Sequence, residues 1–104
     1  MIVHPGNVVM TAHIAWWADE QPERLTWLIE CLARHASGDW GDLDPDDHAA
    51  NNHALRHHDG RVLSNYSIPA DLADETINDD AVWIITDDLD DHEAPTTVLW
   101  PSEY

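Results

Sequence analysis

The chain has 104 residues, room for one domain, and its 43% hydrophobic residues with six Trp are enough to build a core. No apolar run approaches the ~20 residues that cross a bilayer, and Met1 to Gly6 lacks the basic and then apolar regions of a signal peptide, so a soluble, cytoplasmic protein is expected. Twenty-one Asp and Glu stand against four Arg and no Lys, a formal net charge of −17, a field that repels nucleic acid and anionic membranes and attracts basic surfaces.

In chain order, the β-branched residues of Asn7 to Ile14, bounded by Pro5-Gly6, predict a first strand. Pro22 to Ala36 predicts a helix: Leu25, Leu28, Ile29 and Leu32 recur at helical spacing, widened by Trp27 and Cys31. Pro22 suits its first turn, Arg34 and His35 its negative end, and Gly38 stops it. The lone Cys31 falls within this periodicity and is read as a small core residue. After the connection Gly38 to Asp44, Asp44 as N-cap, Pro45 at the first position and Asp46-Asp47 at the positive end of the dipole predict a second helix, to about His57. Asp59-Gly60 turns into a strand over Arg61 to Ile68, with Val62, Ser64, Tyr66 and Ile68 on one face. Residues 70 to 80 predict a loop with a turn of helix, and Ala81 to Thr86 a central strand buried on both faces. The acidic turn Asp87 to Glu93 leads to a last strand, Thr96 to Trp100. The expected fold is α+β, in the order β-α-α-β-β-β, with an antiparallel sheet of four strands carrying two helices on one face.

Candidate sites follow from the acidic segments. Asp42, Asp44 and Asp46 share the spacing that opens an EF-hand loop, yet Asp47 stands where that loop needs Gly and His53 where it needs Glu, so capping accounts for the cluster. Among eight His, His53 and His57 lie one helical turn apart and could share a zinc ion, but no zincin motif accompanies them. Ser37, Ser64, Ser67 and Ser102 fall in no nucleophile elbow, and no Gly-rich phosphate loop is present, so neither catalysis nor a cofactor is expected. Among the Trp, Trp27, Trp83 and Trp100 fall on core-facing patterns and one of Trp16 and Trp17 is expected outside. Trp40, between two glycines, is the candidate exposed anchor.

Three further features bear on function. The run His35 to Asp47 (HASGDWGDLDPDD), with Asn52, Ala54-Leu55, Arg61, Leu63-Ser64, Tyr66, Val82 to Thr86 and the ending TTVLWPSEY, resembles small acidic proteins carried on bacterial plasmids and integrated elements. That resemblance covers most of the chain and implies no catalytic residues. It implies a setting in which mobile elements encode acidic inhibitors of host defence, such as anti-restriction and anti-CRISPR proteins, some of which mimic DNA. The chain departs from the pattern in its extra His and its longer acidic insert between strands. Secondly, a domain of this length has a radius of gyration near ~13 Å and spans roughly 30 to 35 Å, over which duplex DNA carries about 20 phosphates. The expected partner is therefore a basic, nucleic-acid-binding protein, met by Asp39, Trp40, Asp42, Asp44, Asp46 and Asp47 in one loop, by Asp79-Asp80, and by Asp87, Asp88, Asp90 and Asp91. Thirdly, two other readings explain part of the same sequence: a metal-dependent enzyme or metal-binding protein built on the His-rich helix, and a salt-adapted domain whose acidity serves solubility alone.

Overall fold

The computed structural model describes Val3 and residues 7–104. Its elements are strand β1 (Asn7–Met10), helices α1 (Ala12–Asp19), α2 (Pro22–Ala36) and α3 (Pro45–His57), strands β2 (Val62–Ser67), β3 (Ala81–Thr86) and β4 (Pro95–Leu99), and a closing 3-10 turn, Pro101–Glu103. Residues 70 to 80 form hydrogen-bonded turns, with Leu72 N–H on the Pro69 carbonyl and Ile77 N–H on that of Asp74.

The first strand is shorter than its sequence suggests, and a helix follows it at once. Thr11 is the reason: its hydroxyl accepts from Ile14 N–H and caps α1. That helix buries Ile14, Trp17 and Ala18 and leaves Trp16 outside. The proposed boundary at Pro5-Gly6 lies outside the described residues. The described residues therefore carry three α-helices instead of two.

Strands β2, β3 and β4 form the expected antiparallel meander, whereas β1 pairs in parallel with β4, giving a mixed sheet in the order β1-β4-β3-β2. The antiparallel neighbours follow one another directly in the chain, joined by the connections 68–80 and 87–94. Three helices separate β1 from the rest, and a parallel partner is available only to strands joined by such a long crossover.

Helices α1 and α2 cover the sheet face carrying Ser64, Tyr66, Val82, Ile84 and Val98, with Ile14, Trp17, Leu28, Cys31 and Trp100 in the same cluster. The inward stripe of α2 is Arg24, Leu28, Cys31 and His35, while Leu25 and Ile29 face outward. Hydrophobic spacing alone rotates this helix too far, because two polar side chains belong to the core. Arg24 donates to the carbonyls of Trp17 (2.9 Å) and Leu72 (3.0 Å) and stacks over the Trp17 ring. His35, with no exposed surface, bridges the Ser64 hydroxyl (2.6 Å) and the Thr86 hydroxyl (2.9 Å), and Thr86 in turn contacts Thr96 (2.8 Å). Burial pushes the His35 imidazole down to about 4 and the Cys31 thiol up to about 12, so Cys31 is the inert core residue its position suggests.

The open edge of β2 is closed by side chains and by the connection between α2 and α3. The Asn51 amide donates to the Leu63 carbonyl (2.7 Å) and accepts from Leu63 N–H (3.2 Å), filling the place of a neighbouring strand. One step along, Asn65 N–H donates to the Trp40 carbonyl (3.0 Å) and Asp42 N–H to the Asn65 carbonyl (2.7 Å). At the end of the strand the Asp42 carboxylate takes Ser67 N–H (3.2 Å) and the Ser67 hydroxyl (2.8 Å). No unpaired ladder is offered along these residues, which is how natural sheets avoid edge-to-edge association.

Candidate acidic groove

All 21 carboxylates lie outside the core: none is buried, although Asp74, Asp79 and the Glu103 side chain are partly covered. The molecule measures 39 × 28 × 22 Å with a radius of gyration of 13.3 Å.

The register places Leu63, Asn65 and Trp83 on the sheet face opposite the helices. These three floor a groove of about 480 Å³, walled by Asp42, Asp44 and Asp47 and by the start of α3, with Arg61 as its single Arg or Lys. The Asn65 side-chain carbonyl is buried and has no hydrogen-bond donor among the described residues. Tyr104 closes one side, its ring edge-on to Trp83 at 5.5 Å and beneath the Arg61 guanidinium, which also donates to its hydroxyl. Negative walls, an unfilled acceptor and an aromatic floor suit a ligand rich in N–H donors and positive charge.

Each acidic residue singled out by sequence has a definite place. Asp39 takes a bidentate contact from Arg34 (2.7 and 3.2 Å) that holds its carboxyl below the usual range, helped by Gly41 N–H. Asp42 is likewise lowered, by the Ser67 hydroxyl and N–H. Asp44 caps α3 through Asp47 N–H at 3.0 Å. Asp46 and Asp47 stand exposed in the first turn of α3. Asp79 accepts from Ser102 N–H and hydroxyl (3.2 and 2.7 Å), fixing the closing turn, and Asp80 beside it is exposed. In the 87–94 turn, Asp88 takes Asp90 N–H and Asp91 takes Glu93 N–H, while Leu89 pins the turn to the second core cluster and to the Gly60 carbonyl. Asp87 and Asp90 are exposed. Asp42, Asp44 and Asp47 thus meet in the groove; the 79–80 and 87–91 segments lie elsewhere.

Trp40 is not an exposed anchor. It is 1% exposed, packs with Val3 and Val62 beneath Leu43, Ala54 and Leu55, lies edge-on to His35, and donates its indole N–H to Asn52 at 3.0 Å. The flanking glycines serve the backbone: Gly41 holds φ +76°, and a Cβ there would stand 2.1 Å from the Asn65 carbonyl oxygen. Trp83, read as a core residue, is only partly covered and floors the groove.

His53 and His57 lie ring against ring, centroids 4.3 Å apart, and no group of three His, Cys, Asp or Glu among the described residues is placed to hold a metal. The Ser64–His35 contact has the elements of a nucleophile pair, but both side chains are sealed in the core. Groove residues that the sequence pattern does not mark are Asn51 and Arg61. Asn65 is legible by its alternation with Ser64 and Tyr66. Among the described residues no helix is long and apolar enough to cross a membrane. No family model, curated protein or solved structure matches the chain.

Proposed function

We propose that the chain is a protein-binding inhibitor whose acidic surface occupies the basic groove of a nucleic-acid-handling protein, in the setting of a host defence system. The observation that carries this reading is the placement of every one of 21 carboxylates outside the core of a body 39 Å long, a length over which duplex DNA carries about 23 phosphates. The resemblance to plasmid-borne proteins supplies the setting, and the reaction needs no cofactor because occupancy alone excludes the nucleic acid.

The test measures association with restriction nucleases and CRISPR effector complexes, with labelled duplex as competitor. Asp46→Asn/Asp47→Asn and Asp87→Asn/Asp90→Asn remove charges outside the caps and clamps. Each pair is expected to slow association and flatten its salt dependence, because long-range steering is lost; a single neutralisation is expected to cost only about 0.2 to 1 kcal/mol. Binding that ignores both salt and these substitutions would refute the reading.

A further inference from the structure

A second groove, of about 450 Å³, lies between α1, residues 74 to 79 and the closing turn. We propose that it receives an arginine side chain of the basic partner, with Trp16 as the stacking surface; the inference rests on the partner being basic, as argued above.

Trp16 is 63% exposed, the most exposed Trp among the described large apolar residues, and lies edge-on to His13 at 5.3 Å. Carboxylates surround it: Asp74, Asp79, Glu103 and Glu20, the last already met by the buried Arg24 at 3.4 Å. Three of them are fixed in orientation. Asp74 accepts from Thr76 N–H and hydroxyl, Asp79 from Ser102, and Glu103 from Trp100 N–H and the Thr11 hydroxyl on one oxygen, with the His13 ring nitrogen 3.0 Å from the other. Such carboxylates are held in place before a ligand arrives, and each keeps acceptor capacity, since an ionised carboxylate has about four lone-pair sites.

The groove also lacks partners for its own donors. Trp17 and Trp100, 2% and 3% exposed, line it, and their indole N–H groups have no acceptor among the described residues. A peptide supplies cationic donors for the carboxylates and packs against the same wall, so the indole N–H groups of Trp17 and Trp100 report its arrival.

Arginine is favoured over lysine because a planar guanidinium stacks on an aromatic face while forking onto a carboxylate. The chain's own arginines show the geometry. Arg24 stacks over Trp17, Arg34 over Tyr66 while gripping Asp39, and Arg61 over Tyr104, each 4.7 to 5.0 Å from the ring centre. Trp16 offers the same surface beside carboxylates, with no arginine of the chain upon it.

The test uses the intact protein with oligo-arginine and oligo-lysine peptides of equal length. Calorimetry gives affinity, and the indole N–H resonances report the groove. Oligo-arginine is expected to bind tighter and to shift the Trp17 and Trp100 indole signals. Trp16→Ala should weaken oligo-arginine binding by roughly three- to thirtyfold, the range a cation–π contact supports, and abolish the preference over oligo-lysine. Asp46→Asn/Asp47→Asn, in the first turn of α3 and away from this groove, should weaken both peptides alike. Equal binding of the two peptides, or wild-type affinity in Trp16→Ala, would overturn the arginine groove while leaving charge-driven binding intact. Failure of both peptides to bind the wild-type protein would overturn both readings.

Discussion

The run of glycine and aspartate between α2 and α3 looks like an exposed loop in sequence, yet nearly every residue in it performs a structural task. Asp39 grips Arg34, Trp40 fills the second core cluster, Gly41 passes the Asn65 carbonyl, Asp42 clamps Ser67 and Asp44 caps α3. The capping role was legible because N-cap, proline and acidic first turn are local. The burial of Trp40 was not, since its cover comes from Val62 and α3. Gly41→Ala is expected to cost more than the ~1 to 2 kcal/mol of left-handed strain, because the new Cβ meets backbone, whereas Gly60→Ala, at φ +81° with open space, should show strain alone; urea unfolding of the two variants measures the difference. His35 gives a pH prediction. Its folded pKa of about 4 lies below the ordinary 6.5, so the unfolded chain binds the extra proton and stability falls as pH drops from 6.5 toward 4. The loss should reach about 3 kcal/mol across that window. In a His35→Gln variant the fall attributable to this group should vanish, whatever its new baseline. An unchanged acid limb would show that other groups dominate.

At the scale of elements, α2, α3 and β3 were legible to their ends because each carries a complete local pattern: Pro22 and Gly38, the Asp44 cap, and an unbroken apolar run. Helix α1 was not, because its β-branched approach and Thr11 read as more strand, and which of Trp16 and Trp17 faces outward was hidden with it. The rotation of α2 was illegible for another reason: Arg24 and His35 look polar until their buried acceptors and donors are known. The closure of β2 by Asn51 makes a further prediction. Asn51→Leu leaves Leu63 N–H and C=O without their partner, at about 1 to 3 kcal/mol for each unsatisfied group, and reopens an edge. Loss of stability should be accompanied by concentration-dependent association in light scattering, an effect that Asn52→Ala, which removes only the acceptor of the Trp40 indole, should not produce.

For the whole molecule, the composition led to the proposal of a basic partner, but it could not show which carboxylates double as clamps and caps. A net charge of −17 on a body of 13.3 Å radius of gyration repels itself, and salt screens exposed charges beyond about 8 to 10 Å. Moderate salt is therefore expected to raise the melting temperature. A salt-independent value would mean that the clamped carboxylates already offset the repulsion. Strand β1 has one more consequence, and it concerns time. Asn7 lies against Pro95 and Met10 against Val98, so this pairing closes nearly the full length of the chain, and a large loop must be brought together to form it. The β2–β4 meander can assemble first, and β1 docks onto it afterwards. Weakening the β1–β4 contact, as in Val9→Ala, should then speed unfolding and leave the folding rate almost unchanged in a stopped-flow chevron, the signature of a strand that arrives after the barrier has been crossed.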